Sequence, residues 1–125
     1  MATRGSSRLE VPLADLHDRE SGRIDAARVA EFLSIPLAAV SRAIASSYPS
    51  VHKTTDAPSL QDALGPIKRA LELVSQVTRS RREALAWLNN PHPDLDGKTP
   101  LSLMLSGRAD AVVALLENAL AGIPS

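Results

Sequence analysis

The 125-residue chain contains no cysteine, which excludes a disulfide framework, a thiolate nucleophile and any Cys-ligated zinc or iron–sulfur centre. Aromatic residues are nearly missing too: Phe32, Tyr48 and Trp87 make up 2% of the sequence. Net charge is missing as well, since 14 basic and 14 acidic residues cancel to +0. That argues against a strongly basic nucleic-acid coat or an acidic tail, but leaves room for a small local basic patch. No apolar run approaches the roughly 18–20 residues of a membrane span. The opening Met-Ala-Thr-Arg-Gly-Ser-Ser-Arg lacks the apolar stretch of a signal peptide. The expectation is a soluble cytoplasmic protein with no membrane partner, in one compact domain or two very small ones.

What remains is rich in two residue types. The sequence holds 19 alanines and 18 leucines, good helix formers with few β-branched or aromatic companions. Alternation of apolar and polar residues never lasts beyond a few positions. An all-α small helical bundle follows.

Along the chain, residues 1–10 are polar and small and read as a tail, and 1–23 together as a tail and lead-in segment. Asp25 can cap a helix from Ala26 to about Leu33, with Ala26, Val29, Ala30 and Leu33 on one face. Ser34-Ile35-Pro36 breaks it, and Pro36 opens a second helix to about Ala45 that buries Val40, Ala43 and Ile44. Tyr48-Pro49 and residues 51–58 read as a connection. A short helix to Leu64 is reset or kinked at Gly65-Pro66. A longer one follows to about Val77, with Ile67, Ala70, Leu71, Val74 and Val77 as its apolar stripe and Lys68 with Glu72 on its wet face. Ser80-Arg81-Arg82-Glu83 is a capping box opening a helix to about Asn89. Pro91, Pro93 and Gly97 make 90–97 a fixed turn. Thr99-Pro100 starts a helix through Leu105, which Gly107 ends, and Asp110 starts the last, with Ala109, Val112, Val113, Leu116, Ala119 and Leu120 turned inward. The sequence thus divides into 1–23, a hairpin-containing part at 24–58 and a helical module at 59–125.

Catalytic signatures are poor. His17, His52 and His92 share no metal-ligand spacing, and no phosphate-binding glycine loop, nucleophile elbow or carboxylate pair is visible. No catalytic residue, metal or cofactor is expected. Arg79, Arg81 and Arg82 crowd a helix start, where the macrodipole disfavours positive charge. They read either as a solvated junction or as a contact to phosphate or an acidic partner.

The stretch from Arg28 to Ile44 resembles a helix-turn-helix. Small Ala30 lies where two helices approach, Ser34 stands at the turn, and Val40 locks the second helix onto the first. Such a unit presents its second helix to the DNA major groove. Ser41 and Arg42 would face outward, with His52 and Lys53 on phosphates. With one Arg as reader the affinity per monomer would be weak, and a homodimer on two half-sites of operator DNA would compensate.

The stretch from Ala84 to Leu101 resembles the Xre/MbcA/ParS antitoxin family. The residues that carry the likeness are Trp87-Leu88, Pro91, Leu95, Gly97, Pro100 and then Gly107. The resemblance implies an antitoxin of a type II toxin–antitoxin pair, not an enzyme. Its implied partner is a RES-domain toxin that depletes NAD, with the antitoxin covering the active site and often repressing its own promoter. Trp87, Leu88, Pro91, Gly97, Pro100 and Gly107 are expected to be structural, with Trp87 in the core. Toxin-facing residues would come from exposed positions: Lys98, Arg108, Glu117, Asn118 and the tail Ile123-Pro124-Ser125. The rival reading is a helix-turn-helix transcriptional regulator whose C-terminal module serves dimerisation.

Overall fold

The computed structural model describes residues 16–46 and 48–122. It begins with a fully buried Leu16 and a turn organised by Asp18. The Asp18 carboxylate accepts from the backbone N–H groups of Glu20 and Ser21 at 3.0 and 2.9 Å, and a single antiparallel bridge joins His17 to Ile24. Gln61 completes this corner. Its amide accepts from the Ile24 N–H at 2.8 Å and donates to the Ile24 carbonyl at 2.9 Å, as a neighbouring strand would. Arg23 pairs with Asp56 at 3.6 Å, so residues 16–25 are tied to the 54–61 junction. The residues 1–10 read as a tail lie outside the described residues.

Seven helices follow, and no strand is present among the described residues: α1 Ala26–Leu33, α2 Leu37–Ala43, α3 Tyr48–Lys53, α4 Gln61–Val77, α5 Arg81–Leu88, α6 Pro100–Leu105 and α7 Ala109–Leu120. The fold is all-α, as the composition predicts. The capping residues stand where the sequence puts them. Asp25 accepts from Ala27 N–H at 2.8 Å, Ser80 from Glu83 N–H at 3.1 Å and Thr99 from Ser102 N–H at 3.0 Å. Each removes one of the orphan donors of a first turn, a contribution of about 1 kcal/mol. Gly107 takes φ +84°, and Arg108 N–H returns to the Leu103 carbonyl at 2.8 Å, closing α6 in a Schellman turn.

Three expectations about local structure are corrected. Residues 48–53 are helical rather than part of a connection, as α3 packs Val51 into the core. Gly65-Pro66 does not reset the helix: α4 is continuous across it for 17 residues. Proline disfavours the helical conformation of its predecessor by clashing with that residue's Cβ, and Gly65 has none. The third correction concerns the last helix, which begins at Ala109, one residue before the Asp110 that the sequence reads as its start.

A single buried cluster runs through the chain, from Leu16 and the faces of α1 and α2 to Leu64, Leu71 and Val74 of α4, Leu88 of α5, Met104 of α6 and Val112 and Leu116 of α7. The long α4 packs along α7, α6 packs on α7, α1 on α2 and α2 on α6. Burying each of these large aliphatic side chains contributes about 1.5–3 kcal/mol.

Candidate partner-binding groove

The last helix has more apolar surface than the core uses. Nine of the 12 residues of α7 are Ala, Val or Leu, yet only Ala109, Val112 and Leu116 are buried. These three face the body of the molecule. Ala119 and Leu120, expected to be inward, are exposed, Leu120 by 40%. A second row, Ala111, Ala114, Leu115, Asn118 and Ala119, forms one wall of a groove of about 720 Å³. Val77 and Thr78 at the end of α4, Trp87 of α5, and His92, Asp94 and Leu95 of the following turn supply the rest, together with Leu116. Val77 continues the buried stripe of α4 in sequence, but is 44% exposed here because the stripe runs out over the groove.

The turn side of the groove is fixed by its backbone. His92 N–H donates to the Lys98 carbonyl at 3.0 Å, and the His92 carbonyl accepts from Leu95 and Gly97 at 3.0 and 3.1 Å. Asp96 and Gly97 both take positive φ, +57° and +77°. The His92 ring caps the short 3-10 turn Pro93–Leu95, its Nδ1 accepting from Asp94 N–H at 3.1 Å. Trp87 meets that ring edge-on, with centroids 6.0 Å apart. Trp87 was expected in the core. It is half-buried, with one side packed against the core cluster and the other lining the groove.

The proposed contact residues do not all gather here. Asn118 lines the groove, beside Asp94 and Thr78. Lys98 is exposed at the end of the same turn. Glu117 points elsewhere, pairing with Arg69 of α4 at 3.5 Å. Arg108 bonds Asp110 at 3.1 Å and lines a different hollow, between α2, α4 and the α6–α7 turn. The Arg108 guanidinium holds the Asp110 carboxyl below the usual carboxylate range. Ile123, Pro124 and Ser125 lie outside the described residues. The groove's α7 wall was missed; the excess of apolar residues over what one helix face can bury was its signal in the sequence.

In the N-terminal part, the α1–α2 hairpin forms as expected, with Ala30 and Val40 buried at the contact. Arg42, His52 and Lys53 are exposed. Ser41 is not: it is 1% exposed, its hydroxyl donating to the Leu37 carbonyl at 3.1 Å. This corrects its assignment as a base reader, because a side chain bonded to its own preceding turn cannot reach a base edge.

The arginine cluster resolves at Arg81. Its Nε donates to the Phe32 carbonyl at 3.0 Å, and its Nη2 to the Glu31 carbonyl at 3.0 Å and the Ser34 hydroxyl at 2.9 Å. The charge sits at the start of α5 but serves the C-terminal end of α1, where a cation is favoured. Among the described residues no group of three or more His, Asp or Glu could hold a metal ion, and no helix is long and apolar enough to cross a membrane.

Residues 71–122 match the family model described as antitoxin Xre/MbcA/ParS C-terminal toxin-binding domain. No curated protein and no solved structure matches the chain. The matched segment contains every residue that lines the groove. The match covers 52 of the 125 residues, and the matched model is that of a toxin-binding domain of antitoxins.

Proposed function

We propose, from the match of residues 71–122 to the Xre/MbcA/ParS toxin-binding domain model, that this chain neutralises a RES-domain, NAD-depleting toxin by binding it and covering its active site. One observation carries the reading furthest: the groove between Trp87 and α7 falls wholly inside the matched segment. An apolar groove with a half-buried Trp at one wall and a few polar groups at its rim is the anatomy of a protein–protein anchor site. Small residues along α7 let a partner's backbone come close. Occlusion needs no catalytic group on this side. The three residues that follow Gly122 extend the covering surface in this reading.

Autorepression is the second element of the proposal. The exposed Arg42, His52 and Lys53 on α2 and α3 support it. A homodimer would present two hairpins to operator DNA, which offsets the small number of cationic contacts from each. The module boundaries, a hairpin part at 24–58 and a toxin-binding part at 59–125, belong to the same proposal.

Co-expression tests the reading. Cells carrying a RES-domain toxin should keep their NAD and grow when the full chain is present. A chain ending at Gly122 should protect less well. Continued NAD loss beside the full-length chain would overturn the proposal. A regulator without toxin binding would instead give salt-sensitive binding to its own upstream DNA, lost on Arg42→Ala, and no rescue.

A further inference from the structure

We propose that α5 links the groove to the hairpin: a molecule seated against Trp87 is felt at the α1–α2 turn through Arg81. The inference rests on the groove being a partner surface, and on nothing about which toxin fills it. Three observations carry it.

The first is the grip. Arg81 is the first residue of α5, and its one guanidinium holds the Phe32 and Glu31 carbonyls and the Ser34 hydroxyl. It also lies over the Phe32 ring, 5.6 Å from the centroid. The planar fork makes these bonds together, which an ammonium cannot do.

The second is the element gripped. Ser34 closes α1 at φ +58°, in the left-handed region that residues with a side chain seldom occupy. Such a conformation persists only where its surroundings hold it. Arg81 is the holder on the side of the C-terminal module; without its grip the turn would rest on its own backbone bonds, from Ser34 N–H to Glu31 and from Ile35 N–H to Ala30.

The third is the lever. Trp87 stands six residues after Arg81 on the same short helix, about 9 Å along its axis. Ala84 and Leu88 of α5 are buried and Leu85 and Trp87 pack against the core, so the eight-residue helix joins the groove and the hairpin as one hydrogen-bonded body. A displacement at Trp87 is therefore carried to Arg81 along the helix backbone. Linkage makes the effect reciprocal: whatever releases the hairpin turn also alters the groove.

Hydrogen exchange on the full chain tests this without any toxin. The reporters are the amides of Ser34 and Ile35, which donate to Glu31 and Ala30. The groove is filled from its far wall by Ala114→Phe, and separately by Ala119→Phe, at positions exposed in the groove. Trp87, the one tryptophan of the chain, gives an independent fluorescence signal from the groove. The expected result is an exchange rate at the two amides altered by about threefold or more in at least one variant. In an Arg81→Gln background the same substitutions still move the Trp87 emission but leave the amides unmoved. Arg81→Lys, which keeps the charge and loses the fork, behaves like Arg81→Gln. Amide rates unaffected by both groove substitutions, or affected equally with and without Arg81, would overturn the proposal. Neither outcome depends on whether the chain neutralises a toxin.

Discussion

Arg81 and Phe32 are joined twice, once through the backbone and once through the ring. The guanidinium donates to the Phe32 carbonyl at 3.0 Å and lies 5.6 Å from the centre of its ring. This pair ties residues near the N-terminal end of the described chain to the segment that carries the groove. Its sequence separation of 49 residues makes it one of the long-range contacts on which a small helical protein depends.

Removing that contact should be felt in stability. Arg81→Ala leaves the last carbonyls of α1 without their charged donor, and Phe32 without its cover. A loss of about 1–3 kcal/mol in urea unfolding is expected. Arg81→Lys should recover only part of it. A melting curve unchanged by Arg81→Ala would show that water replaces the guanidinium without loss.

Gly97 should tolerate no side chain, for a backbone reason alone. A Cβ at this position would meet nothing within 4 Å, but φ is +77°. Gly97→Ala is therefore expected to cost about 1–2 kcal/mol. The damage should appear at the groove, as altered Trp87 fluorescence, because Gly97 closes the turn that holds His92.

Pro66 stands inside α4, where it cannot donate to the Asp62 carbonyl. The side chain is exposed, so nothing in the core requires it. Pro66→Ala restores the missing bond and should raise stability by about 1–2 kcal/mol, as measured by thermal unfolding. Lower stability would mean that the proline's restriction of the unfolded chain outweighs the regained bond.

The acid limb of the stability profile should depend on Asp18. The Ser21 backbone N–H holds its carboxyl below the ordinary value of 3.8. A group depressed in the folded state adds stability that is present above the unfolded value and lost as pH falls through the folded one. The loss should therefore begin near pH 3.8 and continue below it. Asp18→Asn should flatten that part of the curve in unfolding measured across the acid range, and leave the neutral region with a constant offset.

Helix starts were legible because each is written locally. Asp25, Ser80 and Thr99 cap the helices the sequence assigns to them, and the Lys68–Glu72 pair forms at 3.6 Å. The family likeness was legible too, since Trp87, Gly97 and Pro100 are scarce residue types at fixed spacing. What stayed hidden depends on tertiary placement. The direction of Ser41 is set by how α2 packs between α1, α3 and α6. Arg81 looked misplaced only because the helix it serves lies 49 residues earlier. The groove escaped notice for a related reason. Sequence periodicity shows that α7 is apolar on more than one side, but not that Trp87 and the 90–97 turn stand across from it.

The central claim is that the groove between Trp87 and α7 is where the toxin binds. Titration calorimetry of the purified full chain against a RES-domain toxin, the proposed partner, tests this most directly, comparing the native sequence with Ala114→Arg. Ala114 is exposed and lines the groove, so the substitution should leave the melting temperature unchanged. The account predicts a Kd weakened by about 30-fold or more, the effect of placing a charge in a central apolar anchor site. An equal Kd for the two chains would contradict it.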